Sequence, residues 1–332
     1  MRVFVCDYVT GGGMRGNARP PGLRRQDDAM LTALVKDLVE VPDTEVVVAR
    51  DSGLPPADLP ARIEVIEPTT AVWSAWSQIL SDADALWPIA PESERALEGL
   101  SRLALEQGRI LLGTGPEQVR LTASKWSTAN HLAAHGVPVV STWPSVRLPP
   151  SKHGWVVKPD DGSGCEGVRH FRDEADFRDW LGAFGGTRVY VVQPFVQGEA
   201  LSLSVLCQNG AARVLSCNTQ TVVTDHAGFR YLGGVVGGRS DGHEALERIA
   251  AQVAAAIPGL WGYVGIDLID TRTGPLVLEV NPRLTTSYVG LRRALSVNPA
   301  ALVLDLQRGR TLDGIKLDER VPVEISFANG NG

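Results

Sequence analysis

Two apolar runs late in the chain each carry an acid where a buried strand should carry none: Gly265-Ile266-Asp267-Leu268-Ile269 and Leu278-Glu279-Val280-Asn281-Pro282-Arg283. Residues two apart in an extended strand share a face, so Glu279 and Asn281 lie side by side, about 7 Å apart along the backbone. The turn-rich joint Asp270-Thr271-Arg272-Thr273-Gly274-Pro275 predicts a hairpin, which sets Asp267 across from Glu279. Two carboxylates and an amide oxygen on one sheet face repel and lose hydration unless a cation sits between them. Hard oxygen donors without His or Cys suit Mg²⁺, which also keeps waters and binds phosphates. An exposed antiparallel pair would alternate polar and apolar residues. Here Val264, Ile266, Leu268, Ile269, Leu276, Val277, Leu278 and Val280 make both runs apolar on both faces.

Other residues suit anion chemistry. Lys158 ends the apolar run Val156-Val157-Lys158-Pro159, and Asp160-Asp161-Gly162-Ser163-Gly164-Cys165-Glu166-Gly167-Val168 follows at once. Glycines at Gly162, Gly164 and Gly167 let successive backbone N–H groups converge on a phosphate. The loop is no Walker motif, since no Lys-Ser/Thr pair follows its glycines. Lys125, near the start of a helix, supplies a second ammonium. Taken singly, a strand-end lysine is more often surface than ligand, and a glycine loop more often a turn.

The elements that must position these groups fall into three regions. Residues 1–115 alternate strand and helix, with strands expected at Arg2–Tyr8, Glu45–Ala49, Arg62–Ile66, Ala83–Ile89 and Arg109–Leu112. Helices are expected at Asp27–Val39, Trp73–Leu80 and Glu92–Gln107, with the Trp73/Trp76 pair in the helix core. Such alternation predicts an open parallel α/β sheet. Residues 116–192 read as a small α+β lobe: helices at Ser124–Ala134 and Glu174–Phe184, strands at Trp155–Lys158, Val168–Phe171 and Arg188–Gln193. Residues 193–327 form a larger lobe. There Leu201–Cys207 and Ala211–Cys217 flank the hairpin signal Gln208-Asn209-Gly210, and a strand at Tyr231–Val236 and a helix at His243–Ala256 precede the acidic hairpin. A helix at Ala300–Gln307, a strand at Val321–Phe327 and a frayed Gly330-Asn331-Gly332 end complete the reading.

The chain's 332 residues give ample length for about two domains, and 44% hydrophobic with 21% charged residues is an ordinary globular balance. A net charge of −6 without a Lys/Arg run argues against a nucleic-acid partner. No apolar stretch approaches the ~20 residues that cross a bilayer, and the start is too soon broken by Asp7 for a signal peptide. Cys6, Cys165, Cys207 and Cys217 lie far apart, as reduced thiols of a cytoplasmic protein do. His131 and His135 share a helix face without a third ligand, while His170, His226 and His243 are isolated, so none is expected to bind metal.

In their order, these pieces resemble the ATP-grasp superfamily over residues 1 to about 325. They run from helix lysine, strand lysine and glycine loop through Gln193-Pro194-Phe195-Val196 with Gly198-Glu199 to the aspartate strand and E-x-N-x-R. The resemblance implies an ATP-grasp fold, α/β and α+β, in which an N-terminal open α/β (pre-ATP-grasp) domain precedes two lobes clasping ATP. It assigns Lys125 and Lys158 to ATP phosphates, and Gly162, Ser163, Gly164 and Gly167 to a mobile lid. The adenine linker would be Gln193, Pro194, Phe195 and Val196, with Glu199 near the ribose. Asp267, Glu279 and Asn281 become ligands of Mg²⁺ (or Mn²⁺), and Arg283 lies near the γ-phosphate, with Lys158 the second group acting on the transferred charge. Gln193 stands where many relatives carry an acid, and Glu199 follows Gly198 with no spacer residue. The chemistry implied is phosphorylation of a carboxylate and displacement of the acyl phosphate by an amine, with water excluded by the lid. A kinase releasing its phosphorylated substrate stays open, as does an ATP-binding module without turnover.

Gly11-Gly12-Gly13-Met14-Arg15-Gly16 also satisfies G-x-G-x-x-G, the mark of a nicotinamide-dependent oxidoreductase. The expectation here is against it, because Asn17-Ala18-Arg19-Pro20-Pro21 follows in place of a helix start and Asp51 comes too late for the ribose acid. Small-molecule carboxylate and amine substrates are expected where Tyr8, Thr10, Gly11 and Gly12, after the first strand, meet Arg283, Ser287 and Tyr288. The Tyr-Val-Thr-Gly-Gly-Gly start, the glycine loop and Asn-Pro-Arg-Leu-Thr-Thr-Ser-Tyr together look most like tyramine–glutamate ligases, which act in synthesis of methanofuran-type cofactors. That resemblance implies Arg283 and Ser287 on glutamate and Tyr8 or Tyr288 against the phenol ring. A homo-oligomer is left open.

Overall fold

The computed structural model describes residues 1–15, 21–145, 147–162, 164–183, 189–225, 228–239, 243–317 and 321–327. Ser163 of the glycine loop, Gly16, the Asn17–Pro20 segment, Phe184, Arg188, His226 and the chain end lie outside these residues. Among the described residues no helix is long and apolar enough to cross a membrane.

The N-terminal region is built from β1 (Arg2–Asp7), α1 (Pro21–Val39), β2 (Glu45–Asp51), β3 (Arg62–Ile66), α2 (Val72–Ser81), β4 (Ala85–Ile89), α3 (Ala96–Glu106) and β5 (Ile110–Leu111). Its strands form one parallel sheet, ordered β3-β2-β1-β4-β5. Alternate β1 residues serve opposite cores: Val3 and Val5 meet Leu31, Leu34 and Leu38 of α1, while Phe4 and Cys6 meet Trp76, Leu80, Leu97 and Leu100. Strand order reverses between β1 and β4, so a crevice opens at their carboxyl ends.

Local differences from the sequence reading have physical causes. Helix α1 starts at Pro21, since proline is favoured at the first helical position, where no N–H is needed. The expected helix Glu92–Gln107 is broken. A 3₁₀ turn, Ser93–Arg95, holds Glu94 (φ 54°) and Arg95 (φ 59°) in the left-handed region before α3 begins. Of the tryptophan pair, Trp76 is fully buried but Trp73 is 43% exposed, so only one belongs to the core.

Next come α4 (Pro116–Ala123), α5 (Lys125–Ala134), β6 (Trp143–Pro144), β7 (Trp155–Pro159), β8 (Arg169–Phe171), α6 (Glu174–Ala183) and β9 (Tyr190–Pro194). The strands form an antiparallel sheet, β6-β9-β7-β8, over a small core of Val157, Phe177 and Val192. Then β10 (Glu199–Gln208), β11 (Ala211–Asp225), β12 (Gly228–Val236), α7 (His243–Ala256), β13 (Gly262–Thr271), β14 (Gly274–Asn281), α8 (Tyr288–Leu295), α9 (Pro299–Gln307) and β15 (Val323–Ser326) complete the chain. Their sheet, β14-β13-β10-β11-β12-β15, is antiparallel. Helix α7 covers one face through Leu246, Ile249, Ala250 and Val253, which share a core with Leu201, Leu203, Ile266 and Leu132 of α5.

The N-terminal sheet and the large sheet share a core through α1, α8 and α9. At its centre Tyr288, 1% exposed, donates its hydroxyl to Asp37 Oδ2 at 2.9 Å. Arg292 reaches the same carboxylate at 3.1 Å, and Asn298 Nδ2 donates to the Asp37 carbonyl. This corrects one expectation: Tyr288 closes an interdomain seam and has no face for a phenol ring. Replacing Tyr288 by Phe should cost about 1.5–3 kcal/mol of stability in denaturant titration, the net worth of one buried bond to a charged group. Substrate KM values should stay unchanged; a rise in KM without loss of stability would return Tyr288 to the binding site.

Candidate active site

The acidic hairpin forms with the expected register: Asp267 pairs with Glu279 and Gly265 with Asn281, with a bulge just after Asp267. Asn281 Nδ2 donates to Asp267 Oδ2 at 2.9 Å, and Gln220 Nε2, from β11, donates to Oδ1 at 3.0 Å. Lys125 Nζ lies 3.3 Å from Glu279 Oε1. Burial, then the neighbouring Glu279, pushes Asp267 up to about 6 against those two amide bonds. Burial also pushes Glu279 upward, but Lys125, Lys158 and Arg283 outweigh it and hold that carboxyl below its usual value. The pair is kept asymmetric by where the cations stand.

Both lysines are placed by backbone chemistry. Ser124 caps α5 by accepting from Ser127 N at 3.1 Å, and Asp160, just past β7, takes Trp126 N on Oδ1 and Lys125 N on its carbonyl. The first residue of α5 is therefore tied to the strand that carries Lys158. Lys125 Nζ also donates to the Gly162 carbonyl. Lys158 is 5% exposed, and burial lowers its ammonium to about 8 although Glu279 opposes this. Past Gly162 the described loop turns through left-handed Gly164, Cys165 and Gly167 (φ 66°, 63° and 71°). Burial, then Asp267 and Glu279, raises the Cys165 thiol to about 11.

On the far side, Gln193 is buried on β9 and donates to Thr142 Oγ1 at 2.8 Å. Pro194, Phe195 and Val196 carry the chain to β10 partly exposed, and Phe195 stacks on His170 with ring centroids 4.4 Å apart. Glu199 opens β10 and is bonded by Arg239, which also holds Asp270 at 2.9 Å. His131 and His135 bond the Ala256 and His131 carbonyls, a helix-face role.

Arg283 leaves the hairpin toward the N-terminal crevice. Its Nε and Nη2 each lie 2.9 Å from a different oxygen of Glu92, a bidentate pair between side chains 13% and 6% exposed. Nothing in the sequence reading found Glu92, although its place just beyond β4 at the strand-order reversal marks it. Gln220, on a different strand, gave no signal. The turn after β1 is tight: a Cβ on Gly11 would sit 2.5 Å from the Asp7 carbonyl, and one on Gly13 2.6 Å from the Tyr8 ring. Tyr8 is partly exposed beside Trp76, whereas Thr10 and Ser287 are buried. Gly12 has φ 102°, and Ser287 lies 3.1 Å from Thr285 Oγ1.

Among the described residues no three His, Cys, Asp or Glu side chains cluster as a metal shell. Two carboxylates and one amide oxygen are a partial shell, which suits a cation whose remaining positions are filled by water and phosphate. The internal donors of Asn281, Gln220 and Lys125 now cover the lone pairs such a cation would take, so the donor set fits Mg²⁺. Below about pH 6 a proton on Asp267 competes with that cation. Bound Mn²⁺, counted by spin resonance, should fall by about tenfold per pH unit below pH 6. The sign agrees with linkage. A raised carboxyl stabilises the cation-free protein at low pH and loses that contribution as pH rises through about 6, where a cation replaces the proton. Affinity flat from pH 7.5 to 5 would remove Asp267 from the shell.

The chain is similar to known proteins in sequence and in fold. A pre ATP-grasp 3 domain model matches residues 44–119 and an ATP-grasp domain model residues 122–287. The tyramine–L-glutamate ligase of Methanocaldococcus jannaschii is 31% identical over 209 residues, 61% of this chain, and the match spans only 57% of that relative. Its namesake from Methanocaldococcus fervens is 26% identical over 293 residues, 87% of this chain and 89% of the relative. The crystal structure of an ATP-grasp superfamily protein from Archaeoglobus fulgidus superposes with a TM-score of 0.71 at 22% identity, covering 92% of this chain and 88% of that one. An L-amino acid ligase from Bacillus licheniformis does so at 0.68 and 16% identity, covering 96% and 75%. With its acids, lysines and arginine disposed on this fold, the chain belongs to the ATP-grasp family.

Proposed function

We propose that this protein is an ATP-dependent carboxylate–amine ligase that joins the side-chain carboxylate of glutamate to the amine of tyramine through an acyl phosphate. One observation carries the reading: Asp267, Glu279 and Asn281 converge with Lys125 and Lys158 on one side and Arg283 on the other. The substrates are those in the names of the two archaeal relatives. Four free cysteines support a reducing, cytoplasmic setting.

Bound Mg²⁺ and ATP would supply the phosphoryl group that activates the carboxylate. The chain's own groups do the rest. Lys125 and Lys158 spread positive potential over the phosphates, and the pairing of Lys125 with Glu279 keeps that ammonium aimed into the cleft. Arg283, held flat by Glu92, presents its guanidinium between the metal ligands and the N-terminal crevice, where the acid substrate enters. The Asp161–Gly167 loop covers the phosphates and keeps water from the acyl phosphate. Tyr8 and the Gly11–Gly13 turn border the crevice on the amine's side.

Incubation with ATP, Mg²⁺, glutamate and tyramine, with each omitted in turn, should give ADP and γ-glutamyltyramine by mass only when all are present. ADP formation from other amino acid–amine pairs but not this one would keep the ligase and discard the substrates. ADP formation without an amine, leaving a phosphorylated acid, would make it a kinase. Glu279→Gln should lower kcat by on the order of 100-fold or more, since it removes a metal carboxylate. It should also lower the melting temperature of the cation-free protein, because the buried Lys125 and Lys158 ammonium groups lose the carboxylate that balances them. Wild-type turnover in this variant would refute the metal assignment.

A further inference from the structure

Past Asp267, the sheet face that carries the acids continues as a buried polar floor. In its register Ser202 lies across from Asp267 and Asn218, and Ser204 across from Gly265 and Ser216. Ser202, Ser204, Ser216 and Asn218 are all buried, where a covered sheet face ordinarily carries apolar side chains. Asn218 uses its whole bonding capacity there. Its Oδ1 accepts the Gly237 N–H at 3.2 Å and the Ser216 hydroxyl at 2.8 Å, while its Nδ2 donates to Ser202 and Ser204 at 3.3 and 3.2 Å. Tyr263 donates to Ser204 at 2.9 Å and meets Thr285 Oγ1 at 3.1 Å, so the network climbs from the sheet into the loop after β14. Thr285 in turn meets Ser287 Oγ at 3.1 Å, and Thr286 donates to the Tyr231 hydroxyl at 3.1 Å.

Shape adds to these bonds. Gly265 faces Asn281 across the hairpin and lies two residues before Asp267. A Cβ on Gly265 would stand 2.4 Å from Thr285 Cγ2, and the next atoms it meets, Thr285 Oγ1 and Cβ, are at 3.4 and 3.5 Å. Thr285 thus rests on bare backbone on the acid-bearing face, and only glycine lets it settle there. Arg283, two residues earlier, donates its N–H to the Asn281 carbonyl at 2.8 Å, and its guanidinium is held by Glu92. We propose that Gly265, Tyr263 and Thr285 are positioning residues that clamp the Arg283–Ser287 segment to this face and so fix where the Arg283 guanidinium stands. A buried network with its members bonded locks a single arrangement, and a misplacement of about 1 Å near a reacting group can cost about 100-fold in rate. The catalytic consequence rests on the ligase reading; the clamp itself does not.

The test is steric compensation in the full chain. Gly265→Ala pushes the loop off the sheet, and adding Thr285→Ser removes the one atom in the way while keeping the hydroxyl. With ATP, Mg²⁺, glutamate and tyramine, Gly265→Ala should lower kcat by about tenfold or more, and the double variant should recover most of that loss. A second readout needs no substrate. In NMR of protein carrying isotope-labelled arginine, the Arg283 Nε–H, assigned by its absence in Arg283→Lys, should exchange with solvent about tenfold faster in Gly265→Ala and return to the wild-type rate in the double variant. If the clamp serves the fold alone, Gly265→Ala will melt lower, yet its kcat well below melting and its Arg283 exchange will match wild type; that result overturns the proposal. So does a double variant no better than Gly265→Ala. Should Gly265→Ala fail to fold, Thr285→Val keeps the side chain's shape without its hydroxyl bonds, and wild-type kcat and Arg283 exchange in it overturn the proposal equally. Where wild type turns over no acid–amine pair, the ligase reading fails, and the exchange measurement still decides the clamp.

Discussion

The confrontation of Asp267 with Glu279 across one antiparallel ladder is the constraint around which this protein is organised. Two carboxylates held side by side under cover are tolerable only with positive charge aimed at them. Every other part of the cleft answers that demand: a helix begins at Lys125, β7 carries Lys158 near its end, and Arg283 lies two residues past the hairpin. The amides of Asn281 and Gln220 satisfy the acid that the ammonium groups do not neutralise.

Arg283 links this centre to the rest of the molecule. Through Glu92 it crosses to the N-terminal sheet, while Tyr288, five residues further along, crosses again to Asp37. The large sheet and the N-terminal sheet are thereby fixed together on a shared core. The four-stranded sheet, with three fully buried apolar side chains at its centre, has far less holding it in place. Relative movement is easiest there.

The acidic hairpin was legible because its signal is local: acids in apolar runs, with a turn between them, fix both register and facing. The parallel N-terminal sheet was legible from the alternation of strand and helix along the chain. What escaped depends on long-range encounters. Glu92 and Gln220 reach the site from other strands, and their neighbours in sequence give no hint of Arg283 or Asp267. Tyr288 misled because a hydroxyl beside a motif reads as ligand-facing, whereas the start of α8 turns it into the core. Pro21 misled because proline breaks helix interiors but opens helix starts.

Asp160 has a consequence for motion. Helix α5 is anchored by Leu132 in the core of the large sheet, yet its first N–H groups are bonded to a residue at the end of a small-sheet strand. It is thus a lever with its fulcrum in one layer and its tip in the other. When the small sheet shifts, the displacement arrives at Lys125 and alters its reach to Glu279, so the charge balance of the acid pair reports how far that sheet has moved.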